Sequence, residues 1–111
     1  MKLLMALLAA VPVLAAPALA AEGSAQRGAE LYVTVGCYQC HGYAAQGGAA
    51  GPRLAPDPLP FAAFESFVRT TDQIMPPYTL HALPARDMAD IYAFLLTIPE
   101  PPKEIPLLSA E

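Results

Sequence analysis

Cysteine, histidine and positive charge are all scarce in this chain. Its 111 residues include two cysteines, two histidines and six lysines or arginines, against ten aspartates or glutamates. A structural zinc site takes four ligands. Both cysteines and one histidine lie within residues 37–41, so His81 is the one further histidine or cysteine available as a ligand. No basic run or stripe is present, so nucleic acid is not an expected partner. Alternating strand patterns and internal repeats are also missing, which excludes β and repeat architectures.

The scarce residues fall together in one motif, Cys37-Tyr38-Gln39-Cys40-His41. This spacing is typical of covalent attachment of a c-type haem, because two thiols add to the two vinyl groups of one porphyrin and the adjacent histidine reaches the iron. A thioredoxin-like redox pair would need a βαβ context, and a plain disulfide would leave His41 unexplained. The motif therefore predicts one haem c with its iron, attached through Cys37 and Cys40 and ligated by His41.

Residues 1–20 have the pattern of a secretory signal peptide. A short positive end at Lys2 precedes an apolar run over 3–14, and the small residues of 18–20 offer a cleavage site. A retained membrane anchor is the alternative, because the apolar stretch approaches the roughly 20 residues that span a bilayer. Two prolines within the segment argue against an anchor. We expect export with cleavage and no stable membrane anchor afterwards.

Removal of the first 20 residues leaves 91, enough for one small domain. Such a short chain buries only about two thirds of its unfolded surface, so a large apolar cofactor in the core would add much stability. Lys2 is lost with the segment, so five bases remain against ten acids, a formal net charge of −5. This balance favours partners with a positively charged docking surface.

The rest of the chain has helical periodicity, so the predicted fold class is all-α. Ser24 is placed to cap the first helix, and prolines open the other two. The intervening segments are predicted as loops, the first of them rich in Gly, Ala and Pro. The three predicted helices cover 25–35, from 60 or 61 to 70, and 84–97. Their predicted core positions include Phe61, Phe64, Phe67 and Val68 on the second helix and Met88, Ile91 and Leu95 on the third.

Five segments follow one another in a set order, and together they resemble a small bacterial class I cytochrome c. They are the first helix with Gly28 and Leu31-Tyr32, then the haem motif with Gly42, then Gly51-Pro52-Arg53-Leu54, then Ile74-Met75-Pro76-Pro77, then Asp90-Ile91-Tyr92-Ala93-Phe94-Leu95. The resemblance implies a cytochrome c fold, with three to four short helices around one covalently bound haem, over residues 21–99. Residues 100–111 would form a Pro-rich C-terminal tail.

The same resemblance implies how the first and last helices meet. They would cross at right angles, with Gly28 and Tyr32 of the first helix against Phe94 and Leu95 of the last. Gly28 would allow a close approach because it has no side chain.

The second axial ligand is predicted at Met75. A methionine thioether is the usual partner of an axial histidine in electron-transfer cytochromes c, and only Met75 and Met88 remain after the signal peptide. Met88 has the helical spacing of a core residue. Met75 lies in a loop that the two following prolines stiffen, and its Met-Pro pattern resembles the ligand motif of the family. His81 is a weaker candidate, more typical of a surface loop.

The resemblance also implies contacts around the haem. The carbonyl of Pro52 would accept a hydrogen bond from the His41 ring. Arg53 would pair with a haem propionate, or else lie in solvent. Tyr43 or Tyr78 would donate a hydrogen bond to a propionate, because buried charge needs partners.

Two strong axial ligands leave no open position on the iron, so the expected function is one-electron transfer and not catalysis. Family resemblance together with export implies the periplasm. The chain would be a free carrier or the cytochrome subunit of a periplasmic dehydrogenase, with a dehydrogenase as donor and an oxidase or cytochrome as acceptor. A haem enzyme or a gas or redox sensor is the alternative if Met75 does not bind iron. The Pro-rich tail would be disordered or would strap the domain to a partner.

Overall fold

Residues 23–103 are described by a computed structural model, and within this range the chain forms helices and no β-strand. The predicted all-α class is therefore confirmed. The predicted signal peptide lies outside the described residues, as do residues 104–111 of the predicted tail. None of the helices within 23–103 is both long and apolar enough to cross a membrane. The helices are α1 (Ala25–Thr34), α2 (Cys37–His41), α3 (Phe61–Thr70) and α4 (Ala85–Leu96).

The three helices expected from periodicity are α1, α3 and α4, and their ends follow the predicted signals. The hydroxyl of Ser24 caps α1 by accepting from the backbone N–H of Arg27 at 3.2 Å. Pro60 and Pro84 differ slightly from expectation, because each precedes its helix as the N-cap residue, with extended ψ angles of 141° and 154°. The prolines still suit these places. Their carbonyls accept the first helical hydrogen bonds, and no N–H is needed there.

The cysteine motif forms the short helix α2, which periodicity did not predict. Five residues make little more than one turn, too short for an apolar repeat to appear. Glycines with positive φ lie on both sides, Gly36 at 89° and Gly42 at 79°. The hydroxyl of Tyr32 donates to the carbonyl of Gly42 at 2.8 Å, which joins α1 to the end of α2.

Helices α1 and α4 meet at the residues that the family resemblance indicated. A Cβ atom on Gly28 would overlap the backbone carbonyl of Asp90, so only glycine permits this approach. The rings of Tyr32 and Phe94 lie beside this contact, with centroids 5.4 Å apart. Tyr32 and Leu95 are fully buried. This helix pair forms one wall of the core.

A buried carboxylate fastens the same helix pair, and the sequence did not predict its burial. Asp90 is only 2% exposed. Its carboxylate accepts from the backbone N–H of Ser24 at 2.6 Å and from the guanidinium of Arg27, which also pairs with Asp87 at 2.6 Å. Burial acts to raise the pKa of Asp90, but hydrogen bonds from Arg27 and Ser24 outweigh it and leave the pKa below its ordinary value of 3.8.

We expect Asp90→Asn to lower the free energy of unfolding by about 1–3 kcal/mol at neutral pH, because hydrogen bonds to a charged group are lost. A lowered folded-state pKa gives stability that is present above the unfolded pKa and disappears as pH falls through the folded one. The wild-type protein should lose the stability contributed by the ionised Asp90 carboxylate below about pH 4, whereas the variant has no such contribution. Denaturant titrations at neutral and acid pH measure both effects. Identical pH dependence in the two proteins would contradict the assignment.

The predicted core positions are mostly buried, but Phe61 is only partly buried and Phe67 is exposed. Phe64 and Val68 of α3 are buried, as are the α4 positions Met88, Ile91 and Leu95. Phe67 is 50% exposed, because its ring lies along the wall of a cavity beside α3. Within the described chain, Tyr92 joins α3 to α4, since its ring lies 5.1 Å from that of Phe61 and 5.4 Å from that of Phe64.

Candidate functional site

A cavity of about 630 Å³ opens among the four helices and the two long loops. This volume lies within the range of pockets that hold small molecules and cofactors. Its walls are mostly apolar and include side chains that also form the protein core. The core residues that line it include Phe64, Val68, Leu83, Ile91 and Leu95. The cavity is therefore open on one side and reaches into the core on the other.

All three chemically distinctive residues of α2 border this cavity. Cys37 and Cys40 lie three positions apart on one helical face, and His41 follows them. Burial raises the pKa of the Cys37 thiol to about 11, so this sulfur is protonated at neutral pH. Cys40 is exposed to solvent while still lining the cavity. Both thiols can therefore react with a single group bound in this cavity.

The tautomer of the His41 ring follows from its hydrogen bond. His41 is 6% exposed, and its Nδ1 lies 2.7 Å from the carbonyl oxygen of Pro52. A carbonyl oxygen only accepts, so Nδ1 is the donor, and in the neutral ring the lone pair is then on Nε2. A neutral imidazole oriented in this way is the form that ligates a metal. This contact is the one that the family resemblance implied for Pro52.

Gly51 allows the Pro52 carbonyl to reach the His41 ring. A Cβ atom at Gly51 would lie 2.9 Å from the carbonyl oxygen of Cys40 and 3.0 Å from Cε1 of His41. Both distances are shorter than ordinary contacts, so a side chain here would displace the imidazole. Gly51 belongs to the family pattern in the sequence, and the structure supplies the physical reason for it.

Both methionines of the folded region line the cavity, but from different elements. Met88 is 0% exposed and lies within α4, where its place is fixed by helix packing. Met75 is half-buried in the loop that follows α3, where it contacts the core cluster. His81 is exposed and does not line the cavity. A thioether can thus face the α2 side chains from the loop or from the helix.

The three residues expected near propionates have different positions. Arg53 is exposed at the edge of the cavity and forms no ion pair within residues 23–103. Tyr78 also lines the cavity. Its hydroxyl donates to the carbonyl of Val35 at 3.0 Å, and burial raises its pKa, with smaller contributions from the two thiols. Tyr43 does not reach the cavity, because it is 68% exposed and stacks on Tyr38 with ring centroids 4.6 Å apart.

Thr71 is a cavity residue that the sequence analysis missed. Its hydroxyl is buried and, within residues 23–103, has no hydrogen-bond partner. A buried hydroxyl without a hydrogen bond lowers the stability of the fold. A polar group of a bound molecule would supply the missing hydrogen bond. No sequence pattern marks this threonine, which simply follows the last residue of α3. The cavity therefore has the groups that a haem c requires. It offers two thiols for attachment, an imidazole and thioethers for the iron, a hydroxyl for a polar group, and apolar walls.

Comparison with known proteins gives a family match over the same region. The family model described as "Cytochrome C oxidase, cbb3-type, subunit III" matches residues 23–95. No curated protein and no solved structure matches the chain significantly. The matched range is more than half of the chain, and it contains α2, both long loops and nearly all of α4.

Proposed function

We propose, from the premise that this chain belongs to the cytochrome c oxidase, cbb3-type, subunit III family, that it carries single electrons on a haem ligated by His41 and Met75. Membership of this family makes the chain a small c-type cytochrome with a covalently bound haem c and its iron. The helical structure agrees with a cytochrome c fold. In this family the domain is an electron-carrier module.

The observation that carries the proposal is the orientation of His41. Its Nδ1 is held by the Pro52 carbonyl at 2.7 Å, which leaves Nε2 as the ligating nitrogen. The two thiols beside it on α2 are placed for covalent attachment, and Met75 lines the same cavity from a loop. A histidine and a methionine would then occupy both axial positions. No position would remain for a substrate.

When bound, the haem supplies the one-electron couple of its iron. The chain supplies the surroundings. Cys37 and Cys40 would hold the haem covalently, and the apolar wall would limit the access of water to the iron and so help to set its potential. Arg53 at the edge of the cavity is a basic group suited to a carboxylate, and the buried Thr71 hydroxyl offers a further hydrogen bond.

The location and partners are part of the proposal. The signal-peptide pattern of residues 1–20 supports export and function in the periplasm. The net charge of the processed chain is −5, which suits partners with a positively charged surface. The donor would be a periplasmic dehydrogenase and the acceptor an oxidase or another cytochrome. The oxidase named in the family description supports such an acceptor.

Ligand binding and salt dependence test the carrier function. We expect the holoprotein to bind cyanide and carbon monoxide slowly or weakly and to show negligible peroxidase turnover, because both axial positions are filled. Reduction by a partner dehydrogenase should slow as ionic strength rises, since salt screens the exposed charges that steer the encounter. Stopped-flow spectroscopy measures these rates. Rapid carbon monoxide binding by the ferrous protein would instead favour an enzyme or a gas sensor.

A further inference from the structure

The segment that carries Met75 has few restraints of its own. Within residues 23–103, no hydrogen bond begins or ends on residues 72–77. Pro76 and Pro77 lack an N–H and offer no donor. The position of Met75 therefore depends on how the chain is fixed where this segment begins, at the end of α3, and where it finishes, at Tyr78.

Tyr78 is fixed by three separate contacts. Its backbone N–H donates to the carbonyl of Val68 at 2.9 Å, and its hydroxyl donates to the carbonyl of Val35 at 3.0 Å. Its own carbonyl accepts from Nη1 of Arg69 at 2.9 Å. Tyr78 therefore attaches the far end of the Met75 segment to α3 and to the end of α1.

Arg69 extends this attachment along the rest of the loop. The same Nη1 donates to the carbonyls of Thr79 at 3.1 Å and Leu83 at 2.6 Å. The backbone N–H of Leu83 also donates to the carbonyl of Thr79 at 2.9 Å, so the chain turns back on itself around the guanidinium. One side chain of α3 thus holds three carbonyls from a loop without regular structure.

The environment of Arg69 makes these contacts strong. Its side chain is only 15% exposed, and its nearest carboxylate, on Glu65, lies 3.8 Å from Nη2. A guanidinium with so little water around it gains most from the carbonyl dipoles, because charge-assisted hydrogen bonds are the strong ones. Nη1 carries two N–H groups, so two of the three carbonyls share one of them, while the buried Nη2 has no hydrogen-bond partner within residues 23–103.

We infer that Arg69 is a positioning residue that holds the Met75 loop closed over the haem. This inference rests on the proposed ligation of iron by Met75. Arg69 does not line the cavity, and its hydrogen bonds within residues 23–103 go to Tyr78, Thr79 and Leu83 and not to the α2 side chains or Met75. It acts through Tyr78 and the turn beyond it, which fix the end of the segment that brings Met75 to the cavity.

The test compares two variants of Arg69 with one control. Arg69→Met keeps most of the apolar stem but removes every donor, and Arg69→Lys restores a charged donor. Asp90→Asn is the control, because it weakens the distant α1–α4 contact and leaves the loop intact. For Arg69→Met we expect a weaker sulfur-to-iron near-infrared band in the ferric protein and cyanide binding at least about tenfold faster. Arg69→Lys should recover part of the band and part of the slow cyanide binding. Asp90→Asn should change neither the band nor the cyanide rate, even if its melting temperature falls as much as that of Arg69→Met.

Three results would overturn the inference. One is an Arg69→Met holoprotein with the wild-type band and cyanide rate. The second is an equal increase in cyanide rate in Asp90→Asn, which would mean that general destabilisation opens the loop. The third applies even if Arg69→Met fails to fold. In nuclear magnetic resonance spectra of the wild-type protein, the Nη protons of Arg69 should exchange with water far more slowly than those of the exposed Arg86. Equal exchange rates would show that Arg69 does not hold the loop.

Failure of the ligand assignment gives a different result. If Met75 does not bind the iron, the band survives in Met75→Leu, and the carrier proposal fails there. If the band disappears in Met75→Leu but Arg69→Met changes neither band nor rate, Met75 is the ligand and only the role of Arg69 is wrong. The two proposals are thus tested separately on the same spectra.

Discussion

Replacing Met75 with leucine is expected to abolish the sulfur-to-iron near-infrared band of the ferric protein. The reduction potential should fall by on the order of 100 mV, because axial ligands set haem potentials over about 0.8 V and a thioether ligand raises the potential. Leucine removes the sulfur with little change of volume, so the loss would report ligation and not collapse of the loop. Absorption spectra and potentiometric titration measure the two effects.

Met88→Leu is the matched control for this experiment. Met88 also lines the cavity and is fully buried, and the same replacement removes its sulfur at similar volume. We expect the band and the potential to stay close to wild type, with a stability change below about 1.5 kcal/mol. Loss of the band in Met88→Leu together with its survival in Met75→Leu would show that the helix, and not the loop, supplies the ligand.

Haem-free protein, made in the cytosol without residues 1–20, is expected to be largely unfolded. The cavity of about 630 Å³ is bordered by core residues of α3 and α4, so the cofactor would be packed by the same side chains that hold these helices together. An unfilled apolar cavity costs about 24 cal/mol per Å³, so a third of this volume would cost about 5 kcal/mol. The whole stability of a domain is about 5–15 kcal/mol.

Circular dichroism and thermal melting compare the haem-free chain with the holoprotein. The holoprotein should melt cooperatively, and the haem-free chain should have low helicity and no cooperative transition. The double variant Cys37→Ala, Cys40→Ala, exported normally, should keep no haem after denaturation, because both covalent links are gone. A cooperative, native-like melt of the haem-free chain would contradict the central place of the cofactor in the core.

Local patterns carried much of the prediction. The helices α1, α3 and α4 were predicted within about one residue, because apolar spacing, Ser24 and the opening prolines act on neighbouring residues. The family match confirms the haem c that the cysteine motif predicted. The contact between Gly28 and α4 came from the resemblance, and the structure contains it.

The errors and omissions all concern residues that act across the fold. The burial of Asp90 depends on residues 63 and 66 positions earlier, which no local pattern indicates. Phe67 has the spacing of a core residue and is half exposed beside the cavity.

Sequence patterns were enough to predict the cofactor, its attachment and the helices, because each depends on residues a few positions apart. The buried partners of Arg69 and Asp90 could be found only in the folded structure. The attachment of the Met75 loop to Arg69 and the fastening of α1 to α4 by Asp90 depend on how the loops turn and how closely the helices approach. A charged side chain on a helix has the same sequence pattern whether it is exposed to solvent or buried against a loop.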